Sequence, residues 1–169
     1  NALAAAAAAH ALGVSLFGIV TGLGAVQPVK GRTVAQLATN GMRVIDDTYN
    51  ANPSSINAAV DLLKGFAGRK VLVLGDIGEL GDWAEQGHRE VGAYAAGKVD
   101  ALYAVGPNMA HAVAAFGPGA RHFASQAELI QAIGAAEHDK NTTILIKGSR
   151  SAVMENVVVA LCGSSTEKH

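Results

Sequence analysis

Residues 71–95 read VLVLGDIGELGDWAEQGHREVGAYA, and this stretch decides the fold class. Its first four residues form an unbroken apolar run, which is typical of a strand buried on both faces of a sheet. A glycine-rich loop follows, and the rest reads as a helix whose start is marked by Asp82 and Glu85 at capping-box spacing. A buried strand, a loop and a helix in this order predict a βαβ unit and a mostly parallel sheet.

The same alternation of strand and helix patterns continues on both sides of this stretch. The predicted strands are 43–46, 70–74, 101–105, 120–123 and 143–146, and the predicted helices are 53–66, 82–97, 107–116, 125–136 and 150–162. Asn52 before Pro53, and Ser125 three residues before Glu128, mark two of the helix starts. We therefore expect an α/β, Rossmann-like, mostly parallel sheet with helices on both faces.

The N-terminal stretch has a different composition. The first charged residue is Lys30, and the patterns predict two short helices, 1–12 and 15–24, followed by a linker that starts at 27–28. Repeated glycines argue against a membrane-spanning helix. A signal peptide begins with basic residues, and this stretch has none, so a signal peptide is not expected either. Because the two helices have no charged face, we expect them to have packed against residues outside the sequence, as in a piece cut from a longer protein.

Composition excludes several classes of function. The chain has 169 residues, 13 basic and 14 acidic, so its formal charge is −1 and no nucleic-acid partner is expected. Half of the residues are apolar, which excludes a disordered chain. The single cysteine, Cys162, excludes a disulfide framework. The six histidines are scattered singly along the sequence, which argues against a histidine metal site.

Three predicted strand ends carry polar clusters, at 44–55, 71–82 and 144–155. Ligands of open parallel sheets bind beyond the carboxyl ends of the strands. In the first cluster, Asp46 and Asp47 could hold Mg²⁺ or orient a cationic partner, and Asp47 could also serve only as a turn residue. In the third cluster, Lys147 and Arg150 flank a predicted helix N-terminus, which favours an anion.

The second cluster and the linker are less informative. The glycine spacing at 75, 78 and 81 is not the dinucleotide fingerprint, so NAD binding is not favoured. Asp76 and Glu79 either contact a ligand or hold the loop, and His88 is expected to be structural. Composition alone suggests that Arg32 in the linker is simply solvated.

Five segments in chain order together resemble the Mur ligase family. They are NALAA (1–5), VKGR (29–32), DDTYNANPSS (46–55), VLGDIGELG (73–81) and IKGSRSAVME (146–155). The resemblance implies that 1–26 is the end of a central ATPase domain and that 27–169 is a C-terminal Rossmann-like domain. It also implies a bacterial, cytoplasmic enzyme of peptidoglycan synthesis that is monomeric at full length and does not insert into a membrane.

The resemblance further implies the reaction. ATP activates the carboxylate of UDP-N-acetylmuramoyl-tripeptide as an acyl phosphate, and the amine of D-alanyl-D-alanine displaces the phosphate. The motifs DDTYNAN and KGSRS favour a member that adds this dipeptide over members that add single amino acids. ATP and Mg²⁺ are implied, with the Mg²⁺ ligands mostly outside this chain. Since the family's phosphate-binding loop is also missing, we expect the chain alone to be inactive.

Site residues follow from the same resemblance. Asn1 is expected near the adenine, Arg32 at the ATP phosphates and Asp47 in the closed nucleotide site, with Arg32 and Asp47 as catalytic residues. The residues expected around the incoming dipeptide are Tyr49, Asn50, Asn52, Lys147, Ser149 and Arg150. No metal ligand of this chain is implied.

Two alternatives remain open from the residues alone. A phosphoacceptor receiver domain would use Asp46 and Asp47 with Asp76 and Lys147, although Asp76 lies on the very next strand and the GSRS segment has no place in such a domain. A stand-alone ligand-binding module would have no catalytic parent.

Overall fold

Six strands form a single sheet in a computed structural model that describes residues 2–26, 29–136 and 138–163. The strands are β1 (Val34–Leu37), β2 (Arg43–Asp47), β3 (Arg69–Gly75), β4 (Ala101–Val105), β5 (Ala120–Phe123) and β6 (Thr142–Lys147). Their order across the sheet is β1-β2-β6-β3-β4-β5, and all neighbours are parallel except β1, which is antiparallel to β2. The predicted mostly parallel α/β sheet is therefore confirmed.

Seven α-helices lie within the described residues. They are α1 (Ala2–Ala11), α2 (Leu16–Gly24), α3 (Pro53–Lys64), α4 (Ala84–Ala95), α5 (Met109–Phe116), α6 (Gln126–Ala135) and α7 (Glu155–Cys162). Helices α3, α4 and α5 pack with Leu72 and Leu74 on one face of the sheet, and α6 and α7 pack with Val71 and Val73 on the other. Both faces of β3 are thus covered, which explains why its sequence is apolar without alternation.

Strand β1 was not among the predicted strands. It is four residues long, lies at the edge of the sheet, and alternates between half-buried and exposed positions. Its Val34 pairs with Asp46 of β2. A short edge strand that is half exposed has no run of apolar residues by which it could be recognised, so the sequence patterns did not predict it.

Two helix starts differ from the prediction. The capping box predicted for Asp82 is wrong, because 81–83 form a single 3₁₀ turn and α4 begins at Ala84 without a side-chain cap. The helix predicted from residue 150 is also wrong at its start: 150–152 form a 3₁₀ turn, Val153 has a left-handed φ of 47°, and α7 begins at Glu155.

Packing of Met154 accounts for the late start of α7. Met154 is fully buried, and a Cβ added to Gly75 or Gly148 would lie 2.7 Å from its Cγ. The left-handed Val153 turns the chain so that Met154 reaches the two glycine-rich strand ends. An uninterrupted helix from residue 150 would not produce this turn.

Helices α1 and α2 contact each other and leave most of their apolar side chains exposed. Helix α1 has no buried residue, and Ile19 is the buried residue of α2. The exposed apolar side chains include Leu3, Leu12, Leu16, Phe17 and Val20. Within the described part of the chain, no helix has the length and apolar character needed to cross a membrane.

Candidate functional site

The carboxyl ends of β2, β6 and β3 lie side by side, and their loops form two adjoining clefts. The linker cleft has a volume of about 470 Å³ and is lined by Gly31, Arg32, Thr33, Asp47, Tyr49, Ser55 and Lys147. The loop cleft has a volume of about 580 Å³ and is lined by Gly78, Glu79, Leu80, Ser149, Arg150 and Ser151. The segment 50–52 lines both clefts and separates them.

A buried ion pair forms the floor of the linker cleft. Lys147 Nζ lies 2.6 Å from Asp47 Oδ2 and donates a second hydrogen bond, of 2.9 Å, to the carbonyl oxygen of Asn50. The other carboxylate oxygen, Asp47 Oδ1, accepts from both N and Oγ1 of Thr33, each at 3.0 Å. The side chains of Lys147 and Asp47 are 5% and 16% exposed, so the pair is compensated and largely removed from water.

Asp46 does not join Asp47, because successive side chains of a strand point to opposite faces of the sheet. Asp46 is buried and accepts from N and Oγ1 of Thr48, with the hydroxyl contact at 2.7 Å. It lies close enough to Cys162 of α7 to help raise the pKa of that thiol, after the larger effect of burial. Among the described residues no three carboxylate, histidine or cysteine side chains cluster as metal ligands. Asp47 does face a cationic side chain, since Lys147 Nζ lies 2.6 Å from its Oδ2.

Arg32 lies over an aromatic ring at the mouth of the linker cleft. Its guanidinium carbon is 4.1 Å from the centroid of the Tyr49 ring, and both residues are exposed. The backbone N–H of Tyr49 donates to the carbonyl of Gly31 at 2.9 Å, and a Cβ at Gly31 would come within 3.0 Å of that nitrogen. These contacts hold Arg32 against the end of β2, whereas composition alone suggests a solvated side chain without contacts.

The polar wall of the loop cleft comes from the turn after β6. Ser149 donates to the carbonyl of Asp76 through both its N–H, at 3.0 Å, and its Oγ, at 2.7 Å. Arg150 is 69% exposed and donates to Glu155 at 2.8 Å. Because a 3₁₀ turn replaces the predicted helix N-terminus, an anion here would be bound by the Arg150 side chain without a helix dipole.

Asp76 and His88 both hold the loop that follows β3. The Asp76 carboxylate accepts from the backbone N–H groups of Asn108 and Met109, and so caps the start of α5. His88 is fully buried; its Nε2 accepts from Ile77 N–H at 3.0 Å and its Nδ1 lies 2.6 Å from Ala84 O. These contacts fit the neutral ring with its proton on Nδ1. A receiver domain would need Asp76 as a phosphoacceptor, and here its carboxylate is already engaged.

The six residues predicted around the dipeptide fall into three groups. Tyr49 and Lys147 line the linker cleft with Arg32 and Asp47; Ser149 and Arg150 line the loop cleft; Asn50 and Asn52 line both. The predicted nucleotide contact Asn1 lies outside the described residues.

The sequence analysis did not identify the two threonines that donate hydrogen bonds to Asp46 and Asp47. Thr33 has a left-handed φ of 55°, which brings its N–H and hydroxyl to the same oxygen of Asp47. Thr48 does the same for Asp46 by a local turn. The position of Thr48 two residues after an aspartate is a usable signal for such a turn. The sequence of a single protein contains no comparable pattern that predicts a left-handed conformation for a threonine such as Thr33.

Comparison with known proteins identifies the family of the chain. The family model described as Mur ligase, glutamate ligase domain, matches residues 31–150. The chain belongs to this family. The matched range contains β1 to β6 and all the described residues assigned to the two clefts except Ser151.

Several members of the Mur ligase family cover this chain almost completely. A UDP-N-acetylmuramoyl-tripeptide–D-alanyl-D-alanine ligase from Escherichia coli is 43% identical over 98% of the chain and 37% of its own length. A crystal structure of MurF from Acinetobacter baumannii has a TM-score of 0.84 and 39% identity, over 94% of this chain and 35% of that one. The chain therefore spans little more than a third of the relatives that it matches.

Proposed function

We propose that this chain is the C-terminal part of an ATP-dependent ligase that joins D-alanyl-D-alanine to UDP-N-acetylmuramoyl-tripeptide. The observation that carries the proposal is the pair of adjoining clefts. One contains Arg32 above the Asp47–Lys147 pair, and the other contains Ser149 and Arg150, with 50–52 shared between them. Two substrates bound in such clefts would meet across this shared segment. The likeness to the Escherichia coli dipeptide ligase over nearly the whole chain supports the choice of substrate.

The linker cleft is the proposed nucleotide side. Arg32 offers a guanidinium that can bind phosphate oxygens through two parallel hydrogen bonds, and its stacking on Tyr49 limits its rotation. Lys147 engages Asp47 Oδ2 and Thr33 engages Asp47 Oδ1, and the proposed role of Asp47 is to keep Lys147 in place. The ATP phosphates are therefore proposed to bind in this cleft, and Mg²⁺ would depend on ligands from the rest of the ligase.

The loop cleft is the proposed dipeptide side. In the reaction, a carboxylate oxygen of the tripeptide attacks the γ-phosphorus of ATP and ADP leaves. The dipeptide nitrogen, once its ammonium form has lost a proton to solvent, then attacks the acyl carbon. The bond between that carbon and the phosphate oxygen breaks, and the nitrogen gives up a second proton to solvent as the amide forms. Arg150 would bind the dipeptide carboxylate, with Asn50, Asn52 and Ser149 as neutral hydrogen-bonding partners.

We also propose that residues 1–26 belong to the central domain and residues 27–169 to the C-terminal domain. The full-length enzyme is proposed to be a cytoplasmic monomer.

A chimeric ligase tests this function. The part of the Escherichia coli enzyme that aligns with this chain is replaced by the chain, and phosphate release is measured with ATP, Mg²⁺ and both substrates. We expect release that depends on D-alanyl-D-alanine, and a loss of roughly tenfold or more when Arg32→Ala removes a transition-state contact. The isolated chain should release no phosphate.

The control chimera carries Arg89→Ala, which changes an exposed arginine on α4 and should retain activity. A folded chimera that releases phosphate equally with and without the dipeptide, or not at all, would contradict the proposed function.

A further inference from the structure

We infer that Glu79 binds the ammonium group of the incoming dipeptide, opposite Arg150, so that the loop cleft recognises a zwitterion by its two charged ends. This inference rests on the proposed function and adds a specificity-determining residue to it. The first observation is position: Glu79 and Arg150 line the same cleft, and the other side chains that line it are neutral.

The backbone of Glu79 is strained. Its φ is 62°, in the left-handed region that a residue with a β-carbon enters only at an energetic cost. Strain of this kind is typical of binding sites, where the surrounding structure fixes the conformation. Glycine or asparagine would adopt this φ more easily. The glutamate side chain therefore calls for a reason beyond the turn itself.

The surrounding loop supplies the rigidity that this strain requires. Ahead of Glu79, the Asp76 side chain caps α5, the Asp76 carbonyl accepts from Ser149, and Ile77 N–H donates to the buried ring of His88. These anchors tie the loop to α5, to the turn after β6 and to α4. The start of the loop, two and three residues before Glu79, is thus fixed before any ligand binds.

The charges of the cleft then fit one class of ligand. Among the described residues Glu79 makes no hydrogen bond or ion pair, and Arg150 uses one nitrogen on Glu155 while remaining 69% exposed. One free carboxylate and one accessible guanidinium suit a molecule with an ammonium at one end and a carboxylate at the other. A phosphate group would gain from Arg150 and be repelled by Glu79. This difference separates the loop cleft from the nucleotide side.

The test compares three ligands by ¹⁵N amide shifts of the chain. They are D-alanyl-D-alanine, its N-acetyl derivative, which lacks the ammonium, and its C-terminal amide, which lacks the carboxylate. We expect the N-acetyl derivative to bind roughly fivefold more weakly than the dipeptide, as for an exposed ion pair. In Glu79→Gln this difference should disappear, while the preference for the free carboxylate over the amide persists.

Two further variants make the result specific. Glu90→Gln removes the same charge from exposed α4 and should keep the fivefold difference. Glu79→Asp should keep part of it, since the charge remains. The comparison of ligands on the unaltered chain needs no variant at all, so it stands even if Glu79→Gln fails to fold.

The inference is overturned if the unaltered chain binds the dipeptide and its N-acetyl derivative equally, or if Glu79→Gln leaves their difference intact. Absence of any shift at about 50 mM dipeptide would overturn it as well, because the charged cleft is inferred to be preformed. None of these results decides the proposed function, which is tested separately by dipeptide-dependent phosphate release from the chimera.

Discussion

At the scale of single residues, the buried contact between Lys147 and Asp47 determines how the linker cleft is built. The register of β2 and β6 places the two residues opposite each other, and Thr33 and Asn50 take up the remaining hydrogen-bonding positions nearby. A compensated buried pair is costly to break by removing one member, because the other charge stays buried without a partner.

Lys147→Met should therefore lower the free energy of unfolding by about 3 kcal/mol, measured by urea denaturation. Asp47→Asn combined with Lys147→Met should recover part of this loss, since no uncompensated charge remains. Lys140→Met, at an exposed position in the turn before β6, is the matched control and should change stability by less than about 0.5 kcal/mol. Equal losses for Lys147→Met and Lys140→Met would show that the pair is not an important stabilising contact.

Residue types were easier to predict than the faces on which they lie. Asp46 and Asp47 are adjacent in sequence and invite a shared metal, yet strand alternation places them on opposite faces of the sheet. Lys147 lines the linker cleft with Asp47, and its expected contact with the dipeptide stays a prediction. The pairing of Lys147 with Asp47 depends on the register of two strands that are about 100 residues apart in sequence, which no local pattern reveals. The separation of Asp46 from Asp47 follows from alternation within β2, once that strand is known to extend to Asp47.

At the scale of elements, two helices begin with the same kind of cap in different places. The Asn52 side chain accepts from Ser55 N–H at the start of α3, inside the site, and the Ser125 side chain accepts from Glu128 N–H at the start of α6, outside both clefts. A cap of this kind contributes about 1 kcal/mol. The two caps therefore allow stability and binding to be separated.

Asn52→Ala and Ser125→Ala should each lower the free energy of unfolding by about 1 kcal/mol. Asn52→Ala should also weaken binding of D-alanyl-D-alanine, because the lost side chain lines the loop cleft, and Ser125→Ala should not. Urea denaturation and amide-shift titration on the same samples measure both quantities. If the two variants bind the dipeptide equally well, Asn52 acts as a cap and has no part in the site.

Elements with strong local signals were predicted well, and those shaped by packing were not. The central strands and the caps at Asn52 and Ser125 follow from apolar runs and turn chemistry. The start of α7 depends on Met154 filling the space above Gly75 and Gly148, which is a tertiary effect. The 3₁₀ turn at 150–152 follows from it, and with it the loss of the helix N-terminus predicted for the anion site.

At the scale of the whole molecule, the site exists because the chain returns to the middle of the sheet. After β5 at one edge, α6 leads back to β6, which inserts between β2 and β3. This insertion brings 147–151 beside 31–52 on one side and 76–80 on the other. Ligand clefts of open α/β sheets form where the strand order reverses in this way. Stability of the β6 segment is thus a condition for both clefts.

The loop that leads into β6 contains a histidine that makes this stability depend on pH. His138 is 8% exposed, and neither ring nitrogen has a hydrogen-bonding partner among the described residues. Burial lowers the pKa of His138, and the nearby Arg69 lowers it further, with a smaller opposing effect from Asp139. The unfolded chain therefore takes up a proton more readily than the folded chain once the pH falls below about 6.5.

Stability should accordingly fall as the pH is lowered through this range, and His138→Leu should reduce the fall. Urea midpoints at pH 7.5 and 5.5 measure the effect: the unaltered chain should lose more between the two pH values than His138→Leu. His10→Leu, at an exposed histidine of α1, should lose as much as the unaltered chain. Identical losses for all three proteins would mean that protonation of His138 is not coupled to unfolding. A smaller loss in His138→Leu alone would link acid sensitivity to the segment whose insertion completes the two clefts.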